Sequence, residues 1–278
     1  MQYQRVANER QLLEGLSQPG SVILCGGTDV IVKMRSGMLQ PKILLDISRV
    51  ESLHGIRVEG SSLIIGAATL ESDIIRSPLV SQHAPLLGSV LKQLGSVQIR
   101  NRGTLGGNIV NASPAADSAI PLLLYNTEVQ LVSLADERWV RLEDFFAGPG
   151  RTKLEPDEFV RTLRLPIPDS GFQTFFHKVG KRNALTIAIA SLGMLLNLVD
   201  GVIRELRIAV GSVAPTPLRL RQLEEQLAGR TLDTGFIERA CELVATSISP
   251  ISDIRASADY RKNVIGNLLV RALQAQMP

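Results

Sequence analysis

Thr104-Leu-Gly-Gly-Asn-Ile-Val-Asn-Ala-Ser-Pro-Ala-Ala-Asp117 is the most informative segment of this 278-residue chain, because it joins a glycine pair to several hydrogen-bonding side chains. Adjacent glycines let the backbone approach a bulky anion and can present successive N–H groups at a helix N-terminus, where phosphate is favoured. Thr104 and Asn108 add neutral hydrogen-bonding groups. At Gly107 we expect the backbone to face a phosphate with a positive φ. The segment therefore predicts a phosphate-binding loop.

A second segment of the same chemistry, Leu24-Cys-Gly-Gly-Thr-Asp29, follows the apolar run at 21–25, which indicates a buried strand. Thr28 adds a hydroxyl, so backbone amides and hydroxyls together could hold a diphosphate without a lysine. Glycine pairs are also common in simple turns, and both interpretations stay open. The chain has neither the GxGxxG pattern of a Rossmann site nor the GxxxxGK[ST] pattern of a P-loop.

Two charged residues near the loops have alternative interpretations. Asp117 could accept a hydrogen bond from a ribose hydroxyl, as acidic residues do in other dinucleotide sites, or it could cap the helix that continues to Leu124. Lys178 begins the segment Lys178-Val-Gly-Lys-Arg-Asn183, which is typical of a solvated basic loop. A lysine beside a flavin would instead stabilise the negative charge that develops at the N1/C2 carbonyl end of the ring on reduction.

Composition narrows the class of protein. Hydrophobic residues make up 45% of the chain and the net charge is only +3, without a basic tail, so nucleic-acid binding has no support. Cys25 and Cys241 are the two cysteines, and neither they nor the three histidines have the spacing of a metal site. We predict no catalytic acid, base or nucleophile and no bound metal. No apolar run reaches the ~18 residues of a membrane span, and we expect a cytoplasmic protein without a membrane span.

Alternating apolar runs and turns predict an α+β fold. Prolines and glycine near 166–171 indicate a linker, and the turn Asp200-Gly201 is a strong signal for a two-residue hairpin. The predicted strands are 21–25, 42–47, a hairpin at 56–58 and 63–70, then 128–134, 139–142, 159–165, 172–179, 186–199 and 202–210. The predicted helices are 30–35, 71–94 interrupted at Pro78 and Pro85, 117–124, 218–228, 235–246 and 256–276.

These segments resemble the FAD-binding, or medium, subunit of molybdenum hydroxylases, the family of xanthine and carbon monoxide dehydrogenases, over essentially the whole chain. Residues 24–29 are similar to the first FAD loop of the family, and 104–117 to the second. Phe159-Val-Arg-Thr-Leu-Arg-Leu-Pro166, the segment with Lys178, and Tyr260-Arg-Lys-Asn-Val-Ile-Gly-Asn-Leu-Leu-Val-Arg271 resemble family segments in the same order.

The resemblance implies a vanillyl-alcohol-oxidase (PCMH) type FAD-binding domain at 1–169, with two α/β subdomains at about 1–54 and 55–169. A C-terminal domain at 170–278 would contain a three-stranded antiparallel sheet and helices. The implied diphosphate and ribityl contacts are Leu24, Cys25, Gly26, Gly27, Thr28, Asp29, Thr104, Gly106, Gly107 and Asn108. Ser113 and Asp117 would reach the adenosine side, and Lys178 would lie near the isoalloxazine. Where some family members stack an aromatic residue on the flavin, this chain has Leu94.

The resemblance also implies a role in electron transfer. Related enzymes oxidise substrate at a molybdenum cofactor in a large subunit and pass electrons through two [2Fe-2S] clusters in a small subunit to FAD, which reduces NAD or another acceptor. This chain lacks the cysteines for those clusters, so partner subunits must supply them. Two alternatives stay open: a self-sufficient FAD-dependent oxidase or reductase of the same fold, and a cofactor-free scaffold that tethers the other subunits.

Overall fold

Three main sheets, each packed against helices, organise the computed structural model, which describes residues 1–169, 171–182 and 186–277. Ser170 of the predicted linker and Asn183 of the predicted basic loop lie outside the described residues. The α+β class is confirmed. No helix in the described ranges is long and apolar enough to cross a membrane.

The N-terminal sheet is parallel, with strand order β1-β3-β2. Its elements are β1 (Gln2–Arg5), α1 (Glu9–Leu16), β2 (Ser21–Leu24), α2 (Val30–Arg35) and β3 (Ile43–Asp46). All of β3 is buried, as expected for the central strand of a parallel sheet. Strands β2 and β3 and helix α2 confirm the predictions. We did not predict β1, because this mostly exposed edge strand consists of polar residues and one tyrosine.

The second sheet is antiparallel, with order β4-β5-β10-β6-β7. A 3-10 turn at Glu51–Leu53 precedes it. Its region contains β4 (Ile56–Glu59), β5 (Ser62–Gly66), α3 (Glu71–Arg76), α4 (Pro78–His83), α5 (Pro85–Leu91), α6 (Val97–Arg100), α7 (Leu105–Asn111), α8 (Ala119–Leu124), β6 (Glu128–Val132), β7 (Glu137–Arg141), α9 (Leu142–Phe145), β8 (Phe146–Gly148), β9 (Arg151–Thr152) and β10 (Phe159–Pro166). The predicted hairpin is confirmed by the pairing of β4 with β5.

Pro78 and Pro85 each begin a new helix, because proline is well tolerated at the first helical position.

The core of the N-terminal sheet is shared with the second sheet. Val50 and Leu53, which follow β3, are fully buried together with Phe159 at the start of β10. Ala68 and Val132 belong to the same cluster. The N-terminal strands therefore depend on residues far along the chain for part of their apolar contacts.

The C-terminal sheet has four antiparallel strands, and our prediction of three is wrong. Its elements are β11 (Gln173–Val179), β12 (Ala190–Val199), β13 (Val202–Gly211), β14 (Leu218–Arg219), α10 (Arg221–Leu227), α11 (Thr234–Ser247) and α12 (Ala258–Gln274). The fourth strand, β14, occupies residues that we predicted to begin a helix; two residues are too few to show a strand period. The hairpin at Asp200-Gly201 is confirmed, and both residues have the positive φ values of a type I′ turn, 50° and 76°.

Helix α8 connects the second sheet to the C-terminal sheet. Its C-terminal carbonyl groups accept hydrogen bonds from the C-terminal domain: Arg219 donates to Leu123 O at 2.8 Å and Arg207 to Leu124 O at 2.9 Å. Cations suit this end of a helix because its last carbonyl groups lack intrahelical partners. The two parts of the chain are therefore joined by hydrogen bonds as well as by apolar packing.

Candidate functional site

A cavity of about 310 Å³ opens where the two glycine loops meet. Its volume lies in the range of small-molecule sites, and its wall combines apolar side chains with a few polar groups, as such sites do. The first loop and α2 form one side, and residues of α3, α6 and α7 form the other. The apolar part of the wall includes Ile23, Ile47, Leu94, Ile99 and Phe159.

The first loop lies directly against the segment that precedes the second loop. A Cβ atom added to Gly26 would lie 1.8 Å from the carbonyl oxygen of Arg102, closer than any real Cβ contact. The next residue, Gly27, has φ +78°, a conformation that favours glycine. The first glycine is thus required by close approach and the second by backbone conformation.

The first loop has unused hydrogen-bond donors. Among the described residues, the N–H groups of Gly27, Thr28 and Asp29 donate to no protein acceptor. Asp29 occupies the cap position of α2 without capping it; its carboxylate instead accepts a hydrogen bond from Asn111 Nδ2 at 3.0 Å. Three neighbouring free N–H groups beside a cavity make a concave site for an anion.

The second loop has no such free backbone donors, and the positive φ that we expected at Gly107 is wrong. Thr104 caps α7, and its hydroxyl accepts the Gly107 N–H at 3.2 Å. Gly107 itself is helical and does not have a positive φ. The other backbone bonds are Leu105 N to Thr69 O at 3.3 Å, Gly106 N to Ala67 O at 2.9 Å and Asn108 N to Thr104 O at 3.0 Å.

Packing explains the glycines of the second loop better than anion binding does. A Cβ atom on Gly106 would lie 2.6 Å from Ala67 Cβ and 2.7 Å from Ala67 O, so only glycine lets α7 lie this close to the end of β5. At Gly107 a Cβ atom would lie 2.9 Å from the Thr104 hydroxyl. These glycines position the wall of the cavity, and the first loop supplies the free backbone donors.

A polar bridge joins the two loops across the cavity. Asn111, in the last turn of α7, donates to Asp29 and accepts a hydrogen bond from Lys33 Nζ at 2.7 Å. Neither Lys33 nor Asn111 is among the residues predicted from the sequence. Helical spacing could have found them, because Lys33 lies four residues after Asp29 and Asn111 three residues after Asn108.

Nine of the thirteen predicted site residues line the cavity: Cys25, Gly26, Gly27, Thr28, Asp29, Thr104, Gly106, Gly107 and Asn108. Leu24, the last residue of β2, lies between the lining residues Ile23 and Cys25 but does not itself line the cavity. Ser113 lies after α7, where its hydroxyl accepts the Ala115 N–H at 3.2 Å. Asp117 and Lys178 lie together outside the wall.

Asp117 and Lys178 form a largely buried ion pair. Lys178 Nζ lies 2.6 Å from Asp117 Oδ2 and donates to Gln93 O at 2.8 Å. Burial raises the pKa of the Asp117 carboxyl, and the charge of Lys178 opposes this shift. The predicted capping role of Asp117 is wrong, because α8 begins at Ala119 and Ser118 holds the cap position. Asp117 Oδ1 is buried without a partner in the described part of the chain.

We expect Lys178→Met to destabilise the fold by roughly 3 kcal/mol at pH 7.5, because it leaves a buried carboxylate unpaired. The loss should shrink toward pH 5: an aspartic acid whose pKa is raised in the folded state contributes stability as it becomes protonated. Urea unfolding of the wild type and the variant at pH 7.5 and at pH 5 measures the loss of stability at each pH. The exposed Lys92→Met is the control, and an equal loss at both pH values would contradict the argument.

Glu71 is a cavity-lining residue that the sequence analysis missed. It is the first residue of α3 and only 1% exposed, and burial raises the pKa of its carboxyl to about 8. In the sequence it is indistinguishable from an ordinary acidic residue in a first helical turn. No local pattern could therefore have revealed it.

Comparison with known proteins identifies two domains. Residues 1–168 match the model of the FAD binding domain in molybdopterin dehydrogenase, and residues 175–276 match that of the CO dehydrogenase flavoprotein C-terminal domain. The carbon monoxide dehydrogenase medium chain of Hydrogenophaga pseudoflava is 33% identical over 94% of this chain and 91% of its own. The glyceraldehyde dehydrogenase medium chain of Sulfolobus acidocaldarius is 32% identical over 90% of this chain and 89% of its own.

A solved structure supports the same relationship. Carbon monoxide dehydrogenase from Hydrogenophaga pseudoflava, in a form that lacks the Mo-pyranopterin moiety of the molybdenum cofactor, contains a chain that superimposes with a TM-score of 0.94. The match covers 99% of this chain and 96% of that one, at 31% identity. It confirms the PCMH-type fold. The chain belongs to the family of FAD-binding medium subunits of molybdenum hydroxylases.

Proposed function

We propose that this chain holds FAD between its two loops and passes electrons from the [2Fe-2S] clusters of a small partner subunit to NAD or another acceptor. A large partner subunit with the molybdenum cofactor would oxidise the substrate. Bound FAD supplies the redox chemistry, since it can accept electrons from clusters and reduce a two-electron acceptor. The observation that carries the proposal is the row of free N–H groups at 27–29 beside a cavity of about 310 Å³.

The residues of the cavity fit a dinucleotide. The free N–H groups of Gly27, Thr28 and Asp29 would hold the diphosphate, and the Lys33 ammonium group would partly balance its charge. Asn108 uses its carbonyl oxygen to accept from Ser118 at 2.7 Å, which leaves its amide N–H groups for a ligand. Leu24, Cys25 and Gly26 set the position of the first loop, and Thr104, Gly106 and Gly107 set that of the second.

The two ends of the cofactor would meet different surroundings. Ser113 and Asp117 would contact the adenosine side, where the unpartnered Asp117 Oδ1 supplies an acceptor. Leu94 lines the cavity where some relatives have an aromatic residue, so the ring would pack against aliphatic side chains. The resemblance also predicts Lys178 near the isoalloxazine, at the other end of the cofactor. Because Lys178 Nζ lies 2.6 Å from Asp117 Oδ2, this assignment is an alternative to that of Asp117 at the adenosine side. The flavin absorbance spectrum of the Lys178→Met variant tests that assignment, and an unchanged spectrum would argue against it.

The protein's part in the reaction is to position the cofactor and exclude water from it. The titratable side chains in the described wall are Cys25, Asp29, Lys33 and Glu71. Asp29 and Lys33 are engaged by Asn111, and burial raises the pKa of the Cys25 thiol, which keeps it protonated. The buried carboxyl group of Glu71 is the one feature that favours a self-sufficient oxidase, because such an enzyme needs an acid or base beside the flavin. A cofactor-free scaffold would leave the free N–H groups without a role.

Anaerobic bleaching of the flavin separates these functions. We expect the isolated chain to release FAD, not FMN, on denaturation, and to resist bleaching by purines or aldehydes. Addition of the small and large subunits should allow bleaching by the substrate of the complex. Rapid bleaching of the isolated chain by an organic substrate would instead establish the oxidase.

The electron acceptor requires a separate experiment. The isolated chain, reduced with dithionite under anaerobic conditions and freed of excess reductant, is mixed with NAD, and flavin absorbance is followed. Recovery of the oxidised spectrum at a rate that rises with NAD concentration would support NAD as acceptor. No recovery with NAD, but recovery with a quinone or an artificial dye, would assign the role to another carrier.

A further inference from the structure

The side chain of Glu71 lies in the cavity wall, where one of its carboxyl oxygens has no partner in the described part of the chain. The backbone N–H of Glu71 donates to Gly103 O at 2.9 Å, which fixes α3 beside the second loop. Oε2 is buried with no hydrogen-bond partner among the described residues. It lies 3.0 Å from the point that a Cβ atom on Gly103 would occupy. The glycine at 103 thus leaves space for a carboxyl group that the protein itself does not satisfy.

The charges around this carboxyl group do not offset the effect of burial, which raises its pKa. Arg100 of α6 favours the carboxylate, but its guanidinium group is engaged by Leu94 O and Gly95 O at 2.9 and 3.1 Å. Asp29 of the first loop opposes ionisation. Helix α5 has no charged residue, and the only titratable residue of α4 is His83, at its C-terminal end. Loss of solvation is the largest effect, and it raises the pKa to about 8.

We propose that Glu71 acts as an uncharged hydrogen-bond donor to the FAD held in this cavity, so that cofactor binding is coupled to the protonation of Glu71. The inference rests on the proposed function, because it requires FAD in this cavity. An unpartnered carboxylate beside a ligand with two negative phosphates would be unfavourable in charge and in solvation. A protonated carboxyl group donates through its O–H, and FAD offers carbonyl, ring-nitrogen and phosphate acceptors. Glu71 would thus contact the cofactor directly, from outside both glycine loops.

Titration of the apoprotein with FAD at several pH values tests this proposal through the quenching of flavin fluorescence. A folded-state pKa of about 8 means that Glu71 is protonated below this pH and loses its proton above it. If only the protonated form binds well, affinity should fall about 30-fold between pH 7 and pH 9.5. Calorimetry at pH 8.5 in two buffers of different ionisation enthalpy should show proton uptake on binding.

Glu71→Gln is the decisive variant, because an amide donates a hydrogen bond and does not titrate. We expect its affinity at pH 7 to stay within about threefold of the wild type, to change little up to pH 9.5, and to show no proton uptake from this group. Glu71→Met, which has no donor, should bind more weakly at pH 7 and with equally little pH dependence. The exposed Glu225→Gln on α10 should retain the wild-type pH dependence.

The outcomes distinguish the two proposals. A chain that binds no FAD at any pH would overturn the proposed function. FAD binding with the same pH dependence in the wild type and in Glu71→Gln would overturn only the role of Glu71 and assign the proton to another group, such as the Cys25 thiol. Circular dichroism of each apoprotein across the pH range excludes unfolding as the cause.

Discussion

Replacement of Gly26 by alanine is expected to reduce the affinity of this protein for FAD by at least about 100-fold, or roughly 3 kcal/mol. The added methyl group would lie 1.8 Å from Arg102 O and 2.6 Å from Arg102 C. Both atoms belong to the backbone, so no rotamer change can relieve the overlap. The first loop must move away from the second, and the free N–H groups at 27–29 move with it.

Flavin content after purification and the Kd for added FAD measure this effect. Gly37→Ala is the control: Gly37 has a positive φ, +74°, which Gly26 does not have, and no described atom lies within 4 Å of an added Cβ atom. We expect the control to lose about 1 kcal/mol of stability and to keep its FAD. Normal FAD binding by Gly26→Ala would show that the contact between the loops is not needed for the site.

Replacement of Phe159 by alanine is expected to destabilise the protein by about 4 kcal/mol, within the range for deletion of a buried aromatic ring. Phe159 is 1% exposed and fills space between the N-terminal core and the cavity. Loss of the ring should therefore loosen the N-terminal sheet more than the rest of the chain. Amide exchange of β3 should accelerate while that of β12 and β13 changes little.

Phe145→Ala provides the comparison, because Phe145 is equally buried but belongs to the core of the second sheet. Phe145→Ala should lower the free energy of unfolding by a similar amount, but it should not selectively accelerate amide exchange in β3. Uniform acceleration across the chain in both variants would mean that the two cores open together, and would contradict the shared-core interpretation of Phe159.

The parts of the fold that the sequence predicted are those with local signals. Asp200-Gly201 forms its turn because both residues accept positive φ, whatever surrounds them. The two glycine loops were recognisable because close backbone approach requires glycine. Strand β1 was missed because an exposed edge strand of polar residues shows no alternation, and β14 because two residues show no period.

The parts of the site that the sequence could not predict depend on distant residues. The second loop has no free donors because Ala67 and Thr69 accept its N–H groups, and this pairing follows from how α7 docks on the sheet. Asp117 is paired with a lysine from the next domain, which helical capping rules cannot anticipate. The raised pKa of Glu71 arises from burial among residues distant in sequence, such as Gly103, so no local spacing reveals it.

The shared N-terminal core has a consequence for synthesis on the ribosome. Residues 1–54 leave the ribosome first, but Phe159, which completes their core, follows about a hundred residues later. At about 5–20 residues per second, this delay lasts roughly 5–20 s. We expect stalled nascent chains that end before residue 159 to be cleaved by protease within the first 54 residues. Chains long enough for β10 to have left the exit tunnel should resist. The loop that offers the free N–H groups would therefore become ordered only after the second loop has been synthesised.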